Sequence, residues 1–471
     1  MFYEHTKKYK IFNKLNSLLQ SKYMIMFLVL LAGISNIFEM EIPVYYTYTF
    51  IIILTTLFGE DMLPLLPISC CGYMTFSKSS NPLGVEDSTF RNSSNTTHLF
   101  IIGITIGIFA ISRIIYDVIK HKERRTKPKL LTGFILLAIT SLLGGLTTEY
   151  YGTKTVFFGL LQSLTISFSY FIFFYSVDWK KVKKDYFPFL LLCMCILMLA
   201  ECINTYIECN VLDTNSAFFR LNLFTGWGMY NNIALICALT LPAPFYYAYT
   251  KENKIPYVLL SIAMYLNMII LQSRNGILFS TIIFITGTIL IFKNSKRKKL
   301  LSSIYIGILI ALLITSSSLL PNLKHHFDVV LEKGFYNGDR AATWKEAMRM
   351  LIRSPLFGEG FYSFKGYIFN LTSHTPTFLP ARMHNTYLQQ LASCGLLGIF
   401  AYIYHRYQTV KLLRRTKKEA SLVVLKTSIL VFLLMSIFDC HFHNLGPGFI
   451  YSAMLLILEK VYYKEKEEDI I

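Results

Sequence analysis

Apolar runs of roughly 16 to 23 residues recur almost from one end of the sequence to the other, each about long enough to cross a hydrocarbon layer. That repetition outweighs every other feature. A length of 471 residues would allow several soluble domains, but 54% hydrophobic against 16% charged residues removes that option. The reading is an all-α, polytopic membrane protein of about 12 to 14 transmembrane helices. The first run, "MIMFLVLLAGI", follows a basic leader and has no A-x-A-like site after it, so no cleaved signal peptide is expected.

A net charge of +18 invites a nucleic-acid partner, and its distribution argues against one. Lys and Arg sit in short clusters between the apolar runs: "KKYKIFNK", "KHKERRTKPK", "DWKKVKKD", "TKENK", "KNSKRKK" and "HRYQTVKLLRRTKK". These are orientation signals and belong on the cytoplasmic side. Both termini then lie in the cytoplasm, and the connections poor in Lys and Arg face out of a cytoplasmic (inner) membrane. The least regular stretch is 44–76, where Gly59-Glu60-Asp61, Pro64 and Pro67 interrupt the pattern; it reads as two short spans or one re-entrant hairpin. Later spans are expected at 155–177, 227–249 and 386–404, among others.

The chain divides into an N-terminal bundle over 1–320, a large outer loop over 321–384 and C-terminal helices over 385–471. Long loops are uncommon unless they have a role, so the loop of about sixty residues is the first place to seek function. The polar stretch 77–97 carries Asn-x-Ser/Thr sequons at Asn92 and Asn95, relevant only in a host that glycosylates.

Most cysteines, Cys193, Cys195, Cys202 and Cys237 among them, lie inside apolar runs and read as small core fillers. His441 and His443 could bind a metal with Asp439, but three such residues in one short loop are common by chance, and the pair His325-His326 has the same standing. Glu39 and Glu41 read as charges kept off the cytoplasmic side. No metal or other cofactor is expected.

Three basic groups remain, all on the outer side. Arg274, in "LQSRNGILF", lies in a tight connection whose turn is assigned to Asn275-Gly276. It reads either as a snorkelling anchor or as a cation facing a phosphate-holding cavity; the second is preferred because an outer Arg does nothing for orientation. Arg340 opens an amphipathic helix with Asp339 as N-cap and Ser354-Pro355 as stop. On it Trp344, Ala347, Met348 and Leu351 form one apolar stripe, while Lys345, Arg349 and Arg353 face anionic headgroups. A cation in a helix's first turn is disfavoured unless an anion binds there, so Arg340 reads as part of a diphosphate clamp, with the Gly358-Glu359-Gly360 turn allowing close backbone approach. His384 opens the next span. The positive helix end favours neutral imidazole, the form that takes a proton, although a His that only hydrogen-bonds at the interface fits the spacing equally. Gly395 and Gly398 are spaced for close packing of another helix.

Together these segments resemble the O-antigen ligase and O-antigen polymerase superfamily. The ligase signature, His followed by Asn, Ser or Gln, then nine residues, Gly, two more and a small residue, is matched by His384, Asn385, Thr386 to Cys394, Gly395 and Gly398. "SRNG" at Ser273 is similar to the family's Ser-Arg-Gly/Ala hairpin tip. "DRAATW" followed by "SPLFGEGF" is similar to its Arg-x₃-Trp and Pro-x₂-Gly-x-Gly run.

The resemblance implies a membrane glycosyltransferase. Its donor is an oligosaccharide on a polyprenyl (undecaprenyl) diphosphate, its acceptor a glycan hydroxyl, and no metal is required. His384 would be the general base, Arg274 and Arg340 would hold the diphosphate, Asn385 would lie at the substrate, and Trp344 would stack on a sugar or sit at the lipid interface. Three rivals remain: a transporter or flippase of the same lipid-linked glycan, a metal-dependent transferase built on Glu39 or Glu41, and a structural partner of a secretion complex.

Overall fold

The computed structural model describes residues 8–77, 93–121, 127–149, 151–163, 166–167, 169–208, 223–295, 298–307, 310, 338–361, 383–416 and 419–463. Most of them, 81%, are helical. Helices α1 (Lys10–Leu19), α2 (Lys22–Phe38) and α3 (Glu41–Phe58) are followed by the short α4 (Leu66–Cys71), then by α5 (Ser93–Lys120), α6 (Leu131–Leu143), α7 (Thr153–Ser163) and α8 (Ser169–Ser176). The long α9 (Tyr186–Glu208) precedes a small hairpin of β1 (Phe224–Thr225) and β2 (Gly228–Met229). The remaining elements are α10 (Tyr230–Thr240), α11 (Pro242–Thr250), α12 (Ile255–Ile270), α13 (Arg274–Asn294), α14 (Gly338–Arg353), α15 (Thr386–Arg414), α16 (Ala420–Phe438) and α17 (Leu445–Tyr462).

Helices are the elements that satisfy every backbone donor and acceptor within one segment, as a hydrocarbon environment demands. Their outer faces match that environment. On α5 the exposed residues Ile101, Ile104, Ile108, Ile111, Ile115 and Ile119 fall on one helical stripe, and on α13 Leu278, Ile282, Ile285 and Ile289 do the same. The opposite face of α13, with Phe279, Ser280, Ile283, Gly287 and Ile291, is buried. An apolar face turned outward, with Ser280 and Gly287 among the residues turned inward, departs from the water-soluble pattern. The Tyr230–Thr250 segment is the most enclosed span at 83% buried and Ile101–Lys120 the least at 17%, which puts α10–α11 in the middle of the bundle and α5 at its rim.

Among the described residues six helices are long and apolar enough to cross a membrane, or seven if α1 and α2, which meet at 60°, count as one bent span. Leu63–Thr75, Leu131–Leu143 and Ile255–Ile270 are shorter apolar helical segments. The all-α, multi-pass membrane class follows directly.

The irregular 44–76 stretch resolves into one full-length helix, α3, and a buried run of short turns around α4. The chain changes direction at Gly59, and the buried Arg113 of α5 holds the freed carbonyls: Nη1 donates to Thr56 (3.1 Å) and Gly59 (2.9 Å), Nη2 to Glu60 (2.9 Å), while Nε pairs with Asp117 at 2.8 Å. The 227–249 span runs as one segment, Tyr230–Thr250, in which Leu241, itself helical at φ −54° and ψ −33°, joins α10 to α11 ahead of Pro242.

The basic clusters gather at one end of the helices that matter below. Lys293 ends α13, Lys411 and Arg414 end α15, and Lys460 lies in the last turn of α17. The other ends of α13 and α17 carry Arg274 and Asn444, and His384 lies just before α15.

Candidate functional site

The site is built on a break in α15. At Gly395 the backbone has φ 64° and ψ −158°, so residues 386–394 and 396–414 are two arms joined by an elbow. The ring of Tyr387 lies 5.0 Å from that of Tyr402, where a straight helix would hold the two residues about 22 Å apart. The carbonyls and amides released at the elbow are taken up by the turn after α14. Glu359 N–H donates to Ala392 O and Gly360 N–H to Ser393 O (both 2.9 Å), while Leu396 N–H donates to Pro355 O (2.8 Å) and Leu397 N–H to Leu356 O (3.3 Å).

This arrangement corrects two expectations. Gly395 does not receive another helix: a Cβ there would lie 2.5 Å from the Leu356 carbonyl and 2.7 Å from Gly358 N. The close approach granted by Gly358 (φ 64°) is to Ser393 and Cys394, and that of Gly360 (φ 87°) is to Thr155. Gly398 serves the same elbow, since its Cβ would meet Cys394 Cβ. The glycines of the two motifs are one structural unit.

The elbow delivers the start of α15 to the end of α16. His384 precedes α15 with a left-handed φ of 48°, and Asn385 caps the helix by accepting from Tyr387 N (2.9 Å) and Leu388 N (3.1 Å). His384 Nδ1 lies 3.3 Å from Asp439 Oδ1, in the residue that ends α16. With the Asp439 carboxylate as acceptor, Nδ1 carries the proton and Nε2 is left as the basic nitrogen. The imidazole is 44% exposed and Asp439 only 12%, so the base is reachable while its partner is enclosed.

Asp439 is tightly held. Cys440 N–H donates to Oδ1 (2.7 Å), Asn231 Nδ2 donates to Oδ2 (3.2 Å), and the Thr386 hydroxyl donates to its main-chain oxygen (2.9 Å). Burial by itself pushes the carboxyl up, but the His384 hydrogen bond, the charges of His441 and His384 and the Cys440 N–H together hold it well below the usual carboxylate range.

The chain of contacts continues to Arg274. Ser273, the N-cap of α13, does not cap its own helix; its hydroxyl donates to Asn231 Oδ1 at 3.0 Å. Arg274 is the first residue of α13 and is exposed. The tight turn is made by Leu271 to Ser273, with Gln272 at φ 53°, and not by Asn275-Gly276, which are already helical. Gly276 instead lets α13 approach Met268 and Ala234.

Arg340 lies in α14, but its side chain falls outside the described residues, as do His325 and His326. Helix α14 starts at Gly338 and stops at Arg353, before Ser354-Pro355 as expected. Its faces differ from expectation. Thr343, Glu346, Ala347 and Met350 are buried, while Met348 and Trp344 are partly exposed, so the stripe is rotated toward Glu346. The reason is ionic. Arg349 Nη1 pairs with Glu346 at 3.1 Å, and Arg353 bridges Glu346 (3.0 Å) and Glu359, so these two arginines are engaged within the protein and do not serve simply as headgroup contacts. Burial raises the Glu359 carboxyl and Arg353 offsets part of that rise. Trp344 Nε1 donates to Met383 O at 2.9 Å, which ties α14 to the residue before His384.

Trp344 therefore reaches Met383, the residue before His384 and Asn385, and the residue beside Arg274 is joined to His384 through Asn231 and Asp439. Among the described residues no group of His, Cys, Asp and Glu is arranged to hold a metal. Glu41 is buried, with Ser77 donating to it from both main chain (2.9 Å) and side chain. The parts of the site that sequence did not reveal are Asp439, weighed only as a metal ligand, and Asn231. The available signal was an acid at one span end and an Asn-Asn pair at the head of another.

Residues 259–403 match the model of the O-antigen ligase family. The match runs from α12 past the elbow of α15 and contains Arg274, Arg340, Trp344 and His384. It supports the resemblance carried by the motifs: this stretch is similar to the O-antigen ligase family. Asn231 and Asp439 lie outside the matched stretch. A search of curated proteins finds no match.

Proposed function

We propose that this protein transfers an oligosaccharide from a polyprenyl-diphosphate carrier to a glycan hydroxyl at the outer face of the cytoplasmic membrane. The observation that carries the proposal is the His384–Asp439 pair at 3.3 Å, linked through Asn231 to the residue beside Arg274. The reaction forms a bond between the acceptor oxygen and the donor's anomeric carbon. The bond from that carbon to the diphosphate oxygen breaks, and the leaving diphosphate keeps both electrons. Attack from the opposite face inverts the anomeric centre.

The acceptor hydroxyl gives its proton to His384 Nε2. Asp439 fixes the tautomer and steadies the imidazolium that results. Charge grows on the departing diphosphate, so cations aimed at it stabilise the transition state. Arg274 supplies one from the exposed head of α13, and Arg340, on sequence grounds, supplies a second from the first turn of α14. Trp344 anchors the His384 segment through Met383. Outward orientation of this end rests on the basic clusters at the opposite helix ends.

The acceptor is read from a deletion strain. Loss of long chains with accumulation of single lipid-linked repeats identifies a polymerase. Long chains retained on the polyprenyl carrier identify a ligase. An unchanged glycan profile overturns the transferase reading, and carriage of the same lipid-linked glycan across the membrane takes its place.

A further inference from the structure

Two adjacent asparagines at the head of α10, Asn231 and Asn232, both reach the segment between α16 and α17. Asn232 Oδ1 accepts from Asn444, a packing contact at the start of α17. Asn231 does something different. Its amide faces two ways: Nδ2 donates to the Asp439 carboxylate, which can only accept, and this fixes Oδ1 toward the Ser273 hydroxyl. The Ser273 hydroxyl is thereby drawn away from the end of its own helix. Ile277 N–H bonds the Ser273 carbonyl at 2.8 Å, while Ser273 makes no side-chain cap to the first-turn amides of α13. A helix whose N-cap serine is used elsewhere keeps those first-turn N–H groups directed at whatever Arg274 attracts.

We propose that Asn231 is a positioning residue that locks the cationic head of α13 to the His384–Asp439 pair, so that the groups facing the leaving diphosphate and the group facing the acceptor hydroxyl are held in one register. The inference rests on the transfer reaction proposed above, and it concerns a residue outside the stretch matched by the family model. Asn231 acts through Asp439 and Ser273 and does not itself take the proton. The charged and titratable groups facing it are Asp439, His384 and His441 on one side and Arg274, next to Ser273, on the other.

The test uses the full-length protein in lipid nanodiscs with a synthetic polyprenyl-diphosphate oligosaccharide and a glycan acceptor. Asn231→Ala and Asn231→Leu are expected to lower kcat about tenfold or more, as loss of an orienting hydrogen bond behind a catalytic group does, with KM for the donor changed by less than about threefold. Asn231→Asp sets a second carboxylate against Asp439; neighbouring carboxylates resist joint ionisation, so the acid limb of the pH–rate profile moves to higher pH. Asn232→Ala, which removes the neighbouring hydrogen bond to Asn444, leaves that limb where it is.

A merely structural role for Asn231 would reduce the yield of folded protein in all three Asn231 variants without moving the acid limb, and that result overturns the inference. Wild-type kcat and pH profile in all three Asn231 variants, with His384→Ala inactive, overturns the inference and leaves the transferase reading intact. Activity retained in His384→Ala overturns the reading itself.

Discussion

Replacing Gly395 by Ala puts a methyl group where the α15 elbow has no room. The backbone there has φ 64° and ψ −158°, a region open essentially to glycine alone, and holding a side chain in it costs about 1 to 3 kcal/mol. The new Cβ would also lie 2.5 Å from the main-chain carbon and oxygen of Leu356, far inside contact distance. The turn must retreat, and it carries the bonds from Glu359, Gly360, Leu396 and Leu397 that close the elbow. Losing two of these adds about 1 kcal/mol each, for a total of roughly 3 to 5 kcal/mol. That is a large share of the roughly 5 to 15 kcal/mol by which folded proteins are stable. The assay is the midpoint of heat-induced loss of the monodisperse peak in detergent, with Gly103→Ala as the matched control. Gly103 faces open space on the exposed side of α5, where alanine is the better helix former. Gly395→Ala should fall well below wild type and Gly103→Ala should equal or exceed it. Equal midpoints for Gly395→Ala and wild type would refute the elbow.

Other outcomes follow from the same geometry. Asp439→Asn removes the anion behind His384 and should lower kcat about ten- to a hundredfold, measured as glycan transfer in nanodiscs. Because the folded carboxyl of Asp439 titrates well below its unfolded value near 3.9, its contribution to stability is complete above about pH 4 and is lost only as pH falls through the folded value; the gap in denaturation midpoint between wild type and Asp439→Asn should hold from about pH 7 to 4 and only begin to narrow below that. Trp344→Phe keeps the ring but loses the donor to Met383 O, so kcat should drop about three- to tenfold while KM for the acceptor stays put; a change confined to KM would mean the indole binds sugar. Arg353→Met leaves the buried Glu346 and Glu359 carboxylates without their shared partner and should cost about 1 to 3 kcal/mol in the same thermal assay. EDTA should leave transfer unchanged.

The membrane class was plain in the sequence because lipid imposes it on every segment: long apolar runs with basic residues between them leave little else to build. The limits of α14 were equally readable, since Ser354-Pro355 stops a helix through local sterics alone. The elbow was not. Residues 386 to 404 show a continuous apolar pattern, and a glycine within it marks a break only when a turn some forty residues earlier arrives to satisfy the freed amides. The pairing of Asp439 with His384 could not be read for a similar reason, because the two are 55 residues and two elements apart. The rotation of α14 was set by Glu346, a buried acid whose pairing with Arg349 and Arg353 is a tertiary choice that helical periodicity alone does not encode. His384 could be read because its neighbours in sequence are also its neighbours in space, with Asn385 capping the helix that follows.

The central claim is that His384 takes the acceptor's proton, and single-turnover transfer by the purified protein tests it most directly. Wild type, His384→Ala and His384→Gln are mixed with a defined polyprenyl-diphosphate oligosaccharide and acceptor, with donor binding measured separately on the same preparations. The account predicts that both variants bind donor with near wild-type affinity while formation of the new glycosidic bond falls by at least about a hundredfold, the scale of a lost general base. Transfer at the wild-type rate by a folded, donor-binding His384→Ala protein would contradict it.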